Sequence, residues 1–578
     1  MKQIPQKKMT SQYHVSESLF TSSIRKDRRQ SVAFSASRNT RWGRKRSFLT
    51  SSTRSSSNSS FTTPEPPIGK CENEVNDLEN ERVREQIAQL PIKDVIEDCL
   101  RVLFENDNDL ILQAPPGAGK TTALPLAMMC SRRGKRWFSS ASEGGKILVL
   151  EPRRVAARAA ATRMASILNE KVGETVGYQV RFERLVSSKT QIEVVTEGVL
   201  KNRLAKDPSL KGVSCVVFDE FHERNLDADL SLALVLRAKS KFGRGKDLKV
   251  CVMSATLGDV AVRCQELMRK TLRRKEGEEE YFYYDAPIVQ SEGKSFSVET
   301  IYVGGGGING AYNDTEEVAV KTVQKALSDT PNGGNILVFL PGAAEIRRVV
   351  KSLKDRLGDS HYEILPLYGA LPTNEQNYAL TPSNTPAKRR VVVSTPIAES
   401  SLTVPGVTIV VDSGLRRAPK YDHSKGMTRL TTERVSISSA DQRRGRAGRI
   451  AEGMCYRMWN ENSMATSFQK ETTPEILTAD LTSCMLTIAN ALGGELSTKD
   501  IFSSPSSSSS EKEVREGSIL SSSSPALAFL DPPPAGPGKN ALKLLEKLRA
   551  IEVVEEDRES LNVTYFVSEK GKAMNGLP

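Results

Sequence analysis

Ile111-Leu-Gln-Ala-Pro-Pro-Gly-Ala-Gly-Lys-Thr-Thr122 decides how this chain is read. The apolar run within Asp109–Gln113 predicts a short buried strand. Gly117 and Gly119 then permit a tight turn, and Lys120 and Thr121 open a helix predicted over Thr122–Arg132. A strand, a Gly-rich turn and a helix start aim main-chain N–H groups at one point, and the positive end of the helix dipole adds to them. The result is a phosphate cradle formed by Ala114, Pro115, Pro116, Gly117, Ala118, Gly119, Lys120, Thr121 and Thr122. Lys120 is predicted to reach the β- and γ-phosphates, and the Thr121 hydroxyl to take a Mg²⁺ position. Ala114 stands where the strict pattern has its first glycine. A Gly-rich turn with a chance lysine is the plainer alternative; the flanking strand and helix weigh against it.

The second anchor is Val216-Val-Phe-Asp-Glu-Phe-His-Glu-Arg224. An apolar strand delivers Asp219 and Glu220 to its C-terminal tip, where ligands sit in open α/β sheets. Asp219 is placed to hold Mg²⁺ through water, and Glu220, counted with it as a metal-site residue, to polarise the attacking water. Alone, the stretch also fits a solvated acidic turn, but a phosphate loop upstream favours the catalytic reading. The third anchor is Asp441-Gln-Arg-Arg-Gly-Arg-Ala-Gly-Arg449. Its arginines fit a solvated basic turn, but in an NTPase they read as arginine fingers. Charge gathers on the γ-phosphate in the transition state, and a guanidinium placed there in a dry cleft is worth roughly 10³–10⁵ in rate. The arginines and the phosphate loop fall in different α/β segments, so the nucleotide is expected to bridge two domains.

The 578 residues are enough for two to four domains, and 38% hydrophobic with 26% charged residues suits a soluble chain with disordered parts. No apolar run is long enough for a transmembrane helix. Eight scattered cysteines without a C-x-x-C pair read as reduced thiols rather than a disulfide frame or zinc site. The net charge of +12 is unevenly placed: residues 1–62 hold 13 Lys/Arg against Glu17 and Asp27, leaving the rest near neutral. Nucleic-acid binding therefore has to be argued from motifs.

Residues 1–80 read as a disordered, basic, Ser/Arg-rich segment. Its shortage of acids resembles a chloroplast or mitochondrial transit peptide. A nucleic-acid-binding arm, a nuclear signal at Arg41–Arg46, and an inert tail or a misplaced start codon are the alternatives. A helix is predicted over 80–105. A first α/β domain spans 81–298, with strands at Ile147–Leu150, Ile192–Thr196, Cys215–Phe218 and Lys249–Met253, and surface loops at Arg132–Gly145 and Arg269–Glu280. A second spans 299–495, with strands at Asn335–Leu340, Ile364–Leu367, Arg390–Ser394 and Thr408–Asp412, and helices at Ala343–Leu357 and 473–493. A Ser/Pro-rich linker covers 496–539, and 540–578 opens another unit with a helix over Asn540–Leu548.

Asp219-Glu-Phe-His222 closely resembles the signature of DEAH-type superfamily 2 helicases, and the surrounding sequence resembles their HrpB-like branch. The resemblance runs with gaps from Leu90 to Pro578. It is carried by Leu112–Thr122, Glu151–Ala161, Phe218–Arg224, Ala286–Phe296, Val338–Ile346, Thr395–Val407, Asp412–Leu415, Gln442–Arg449 and Phe529–Pro534. It implies two tandem RecA-like domains followed by a partial winged helix, and ATP-dependent hydrolysis with Mg²⁺, by a monomer, on a single strand. It also implies that the strand is RNA and that motion runs 3′ to 5′. His222 is implied to link to Gln442 across the cleft, and Ser254 and Thr256 to connect the nucleotide site to domain motion. Ser401 and Gln442 would orient the lytic water, Arg446 and Arg449 would meet the γ-phosphate, and Arg163 would pack on the adenine face. Arg153, Arg154, Thr196 and Thr395 would touch the nucleic-acid backbone, giving salt-sensitive binding nearly independent of sequence.

The chain departs from the family's pattern in places. Pro396 stands where the wider group has Asn, and Leu415 where many relatives carry a base-stacking aromatic, which suits broad NTP use. Arg444 replaces a small residue, and nothing in the sequence explains it. Asn540–Pro578 resembles only the start of the winged helix, from which poor duplex unwinding is expected. The rival readings are an RNA-binding protein that does not unwind, and an ATP-driven DNA motor, because backbone contacts alone do not separate DNA from RNA.

Overall fold

The computed structural model describes residues 78–576 apart from 141–144, 246, 257, 273–281, 294, 305–314, 359, 384–387, 401, 423–424, 503–526 and 558–561. The basic N-terminal segment, with its organelle-targeting and Arg41–Arg46 readings, lies outside the described residues, as do Ser401 and most of the serine-rich stretch.

In the first domain, β1 (Leu110–Gln113), β2 (Lys146–Leu150), β3 (Val176–Val180), β4 (Glu183–Leu185), β5 (Ile192–Val195), β6 (Val213–Phe218) and β7 (Lys249–Ser254) are followed by a separate hairpin, β8 (Lys270–Leu272) and β9 (Phe282–Tyr284), and then β10 (Ile288–Gln290). The main sheet runs β10-β1-β7-β6-β2-β5-β3-β4 and is parallel except for β3 with β4. A parallel sheet must be covered on both faces, and the strands alternate accordingly. Val216, Phe218, Val250 and Val252 enter one core, while Cys215, Val217, Cys251 and Met253 enter the other. The strand order sets the chemistry: Gln113 pairs with Ser254 and Phe218 with Val252, so the phosphate loop, Ser254–Thr256 and Asp219–Glu220 emerge from neighbouring strand tips.

Two expectations change here. The helix predicted over 80–105 is two helices, Glu81–Ala88 and Lys93–Phe104. Pro91 lacks an N–H and disfavours helical geometry at Leu90. The corner it makes packs Leu90 against the phosphate loop, 2.6 Å from where a Cβ on Gly119 would stand. The segment expected as a loop at Arg132–Gly145 contains a helix, Arg132–Ser140. Its Trp137 and Phe138 rings lie 5.7 and 6.0 Å from Phe104, a packed face that the polar composition hides.

The second domain contributes β11 (Val298–Tyr302), β12 (Asn335–Phe339), β13 (Tyr362–Leu367), β14 (Arg389–Ser394), β15 (Val407–Asp412), a long hairpin of β16 (Leu415–Asp422) and β17 (Met427–Arg434), and β18 (Gly453–Arg457). Its six-stranded sheet runs β11-β18-β15-β12-β14-β13, parallel throughout. Helix Ala343–Leu357 forms over the range expected.

A third unit lies at a boundary different from the one drawn in the sequence. Helix Thr482–Ala491, β19 (Glu495–Ser497), helix Ala535–Lys547, β20 (Ile551–Asp557), β21 (Asn562–Val567) and helix Glu569–Asn575 surround a sheet ordered β19-β21-β20. The helix predicted over 473–493 is instead a short turn, Glu475–Leu477, and helix Thr482–Ala491, because Asp480 accepts the Thr482 N–H and starts the helix anew. The helix expected from Asn540 begins at Ala535, directly after the proline run. Met485, Ile488, Leu542, Leu545 and Ile551 share one core with Leu200, Leu204 and Val235, so this unit is seated on the first domain. Among the described residues no helix is long and apolar enough to cross a membrane.

Candidate active site

The phosphate loop leaves β1 through Ala114, whose N–H donates to the Ser254 carbonyl (3.0 Å). Gly117 and Gly119 take φ of 89° and 94°, which glycine alone adopts readily. Gly119 also has no room for a side chain beside Leu90. Helix Lys120–Cys130 starts at once, so its opening N–H groups face the loop. Ala118 is buried beneath the turn, Pro115 and Pro116 border the cleft, and the Thr122 hydroxyl turns back toward the Gly119 carbonyl (3.5 Å).

Lys120 Nζ lies 2.9 Å from Glu220 Oε1 and 3.6 Å from Asp219 Oδ1, and the Thr121 hydroxyl donates to Asp219. All three charged groups are buried. Burial disfavours the Lys120 ammonium, but Asp219 and Glu220 outweigh it and hold the amine protonated. Burial likewise works to raise Glu220, yet Lys120 and then His222 pull it down to about 2, so it is ionised throughout the physiological range. Glu220 Oε2 is buried without a hydrogen-bond partner. Glu151, the first residue after β2, was not singled out by sequence reasoning as a site residue. It is buried beside this cluster and raised well above the carboxylate range by burial, then by Asp219 and Glu220. Its position directly after an apolar strand was the available signal.

His222 connects the domains. Its Nδ1 is 3.1 Å from Ser254 Oγ and its Nε2 is 3.1 Å from Gln442 Oε1. The Gln442 amide donates to Thr256 Oγ1 at 3.2 Å, and Thr256 Oγ1 is 3.3 Å from Ser438 Oγ. Around this network lies a cleft of about 950 Å³, bordered by Pro115, Pro116, His222, Thr256, Gln442 and Arg449.

The arginines of the third anchor divide by role. Arg449 reaches the phosphate loop: its Cζ lies 3.9 Å from where a Cβ on Gly117 would stand. Nη1 donates to Thr403 Oγ1 (2.7 Å), and Nε is buried without a partner. Burial lowers this guanidinium to about 10, still charged at neutral pH. Arg446, expected at the γ-phosphate, is instead enclosed by the main-chain carbonyls of Glu399, Ser400 and Leu402. It shapes the loop that carries Thr403. Arg443 is fully buried, paired with Glu399 and Asp412 at 2.8 Å each, and Arg444 lies 3.7 Å from Asp441. Arg449 is the one whose guanidinium comes within 4.0 Å of a Cβ placed on Gly117, while Arg446 is close enough to Glu220 to help lower its carboxyl. Charge count alone could not separate them, because burial by a partner acid depends on the fold.

The expected nucleic-acid residues also separate. Arg153 donates to the Pro396 carbonyl (2.8 Å) and to Glu223 Oε1 (2.9 Å), and Ser400 Oγ donates to the same carboxylate oxygen (2.6 Å). In this arrangement Arg153 therefore bridges the two domains through the Pro396 carbonyl. Arg154 is exposed at the start of helix Arg154–Leu168. Thr196 and Thr395 precede the helical segments Glu197–Lys206 and Pro396–Ala398. Arg163 is exposed and donates to Gln86 (2.8 Å). Leu415 is buried at the start of the long hairpin.

The chain matches the DEAD/DEAH box helicase family over residues 93–263 and the helicase conserved C-terminal domain over 318–451. ATP-dependent RNA helicase HrpB of Escherichia coli (strain K12) is 40% identical over 401 residues, which cover 69% of this chain and 45% of that protein. ATP-dependent RNA helicase DHX33 of Homo sapiens is 34% identical over 433 residues, covering 74% and 57%. The crystal structure of Escherichia coli DEAH/RHA helicase HrpB aligns with a TM-score of 0.66 at 35% identity, over 84% of this chain and 52% of that one. The chain thus spans about half the length of the curated relatives it matches.

Proposed function

Because this chain belongs to the DEAD/DEAH box helicases, we propose that it is a DEAH-type motor that hydrolyses ATP between its two α/β domains while a single strand of RNA lies across both. The observation that carries this reading is that Arg449 of the second domain stands against the phosphate loop of the first, opposite Lys120, Asp219 and Glu220. A nucleotide bound there is complete only when both domains contribute, so its hydrolysis is tied to their relative position. All of these groups come from one chain, which supports action as a monomer.

The residues present fit Mg²⁺. No group of three or more His, Cys, Asp or Glu able to hold a metal occurs among the described residues. The Thr121 hydroxyl and the Asp219 carboxylate are paired oxygen donors at the phosphate loop, which suits a hard cation delivered on nucleotide phosphates rather than a caged one. Mg²⁺ held by Thr121 and Asp219 would neutralise charge on the β- and γ-phosphates. Lys120, released from Glu220, would turn to the phosphates. Glu220, ionised and with Oε2 accepting no hydrogen bond, would orient the attacking water and take its proton. Arg449 would meet the charge that gathers on the γ-phosphate, and Gln442 would report the state of the site to His222. Arg153, Arg154, Thr196 and Thr395 would contact the strand's phosphates. Residues 1–65 would carry the chain to an organelle, which a fluorescent fusion of that segment tests.

Parallel ATPase assays with single-stranded RNA, single-stranded DNA and no nucleic acid test the main proposal. Stimulation by RNA above DNA supports it, equal stimulation favours a DNA-competent motor, and no hydrolysis under any condition rejects it.

A further inference from the structure

Glu220 and His222 stand on one short turn, Phe221–Glu223, whose flanking residues take left-handed backbone angles: Glu220 at φ 50° and Arg224 at φ 51°. Non-glycine residues keep such angles only where their surroundings over-determine them. For Arg224 those surroundings are partly local and partly from far along the chain. Its buried guanidinium donates Nε and Nη2 to Asp229 at 3.1 and 2.8 Å, and Nη2 also to Asp531 Oδ2 at 2.5 Å. The same guanidinium lies 5.8 Å from the centre of the Phe221 ring, which meets Phe218 edge-on at 6.2 Å. The Arg224 carbonyl accepts the Glu475 N–H (3.0 Å), and the Glu475 carboxylate accepts the Leu226 N–H (2.9 Å).

Asp229 already neutralises Arg224 through a two-bond fork, so Asp531 is not needed for charge balance. Its contribution is geometric. Asp531 lies in Phe529-Leu-Asp-Pro-Pro-Pro534, which leads straight into helix Ala535–Lys547 of the third unit. Arg263 of the first domain grips its other oxygen at 2.6 Å. Asp531 thus joins the third unit to the back of the hydrolytic turn.

We infer that Asp531 is a positioning residue: through Arg224 and Phe221 it fixes the turn that carries Glu220 and His222, so the seating of the third unit sets the alignment of the water-activating carboxylate. This rests on the hydrolysis proposed above. The consequence is selective. Nucleotide binding at Lys120 and Thr121 is made by other strand tips and keeps its strength, while the rate of the chemical step depends on Asp531.

The test uses the full chain with Asp531→Asn, Asp531→Glu and, as a control, Arg263→Gln, which removes the bonds to Asp531 Oδ1 and to the Leu530 carbonyl but leaves the direct Arg224–Asp531 bond in place. Three quantities are measured: RNA-stimulated kcat and KM for ATP, the Kd of a fluorescent ATP analogue, and hydrogen exchange over residues 216–226. Asp531→Asn is expected to lower kcat by about tenfold, with KM and Kd within about twofold. Exchange should become faster over 216–226, Asp531→Glu should restore part of kcat, and Arg263→Gln should change kcat by less than about twofold. Unchanged kcat and exchange in Asp531→Asn overturn the inference, as does a kcat loss matched by equal losses in KM and Kd. If the unaltered chain hydrolyses no ATP, the functional proposal fails by itself, and the exchange measurement still decides whether Asp531 holds the turn.

Discussion

His222 Nε2 lies 3.1 Å from the Gln442 side-chain oxygen, a single bond between the hydrolytic turn of one domain and the arginine-bearing helix of the other. Gln442 in turn donates to Thr256, so one glutamine is shared by two motifs of the first domain. His222→Ala and Gln442→Ala are each expected to lower RNA-stimulated hydrolysis by about tenfold with little change in nucleotide affinity, and the double variant to be no worse than either single one. A double-mutant cycle on kcat checks this. Additive losses would mean that the two residues act independently and that the bond carries no coupling.

The parts of the site that were legible in the sequence are those whose chemistry is local. Gly117, Gly119 and Lys120 announce a phosphate loop because turn geometry and helix start lie within a few residues, and Asp219–Glu220 follow directly from an apolar strand. The central parallel strands were legible for the same reason: a strand buried on both faces is a continuous apolar run. What could not be read depends on contacts between distant segments. Arg446 and Arg449 are chemically identical in sequence, and only the fold gives one the carbonyls of Glu399, Ser400 and Leu402 and the other the Thr403 hydroxyl. Arg153 reads as a phosphate contact, and its bonds to Glu223 and the Pro396 carbonyl arise only in the fold. The hairpin Leu415–Asp422 with Met427–Arg434 is polar and largely exposed, so it carries no hydrophobic alternation to reveal it.

Lys120→Ala should abolish hydrolysis. Because the ammonium is also the counter-charge of two buried carboxylates, its loss should cost about 3 kcal/mol of stability in the nucleotide-free protein. Lys120→Met combined with Glu220→Gln should recover most of that stability and none of the activity. Denaturant unfolding and an ATPase assay check both halves. Near-normal hydrolysis by Lys120→Ala would remove the phosphate-loop assignment.

Arg449→Ala should lower kcat by roughly two orders of magnitude or more, with a smaller effect on ATP affinity, because the contact strengthens as charge develops. Arg446→Ala should behave differently. It leaves the carbonyls of Glu399, Ser400 and Leu402 without their donor, so the second domain should lose thermal stability along with activity. A selective kcat loss in Arg446→Ala at unchanged Tm would show that Arg446, too, acts on the nucleotide.

Glu197 supplies a prediction on pH. Its carboxylate is held by Asn225 Nδ2 at 2.8 Å. Burial, the largest influence, raises it from 4.5 to about 8; the Asn225 bond opposes this, while Glu223, Asp227 and Glu475 reinforce it. The folded value lies above the unfolded one, so between the two the folded protein holds the extra proton. Stability is therefore greatest below the unfolded value, falls as pH rises across the window, and levels off above about 8. Glu197→Gln keeps an oxygen for Asn225 and removes the charge. The variant should match the unaltered chain near pH 4 and exceed its stability near pH 8.5 by roughly 1–3 kcal/mol, a range reduced for solvent screening of a partly exposed residue. Urea unfolding at a series of pH values measures the difference. A gap between the two proteins that stays constant with pH would mean that Glu197 titrates alike in the folded and unfolded chain, its acidic neighbours being compensated by cations such as Lys201, which pairs with Asp227 at 2.9 Å.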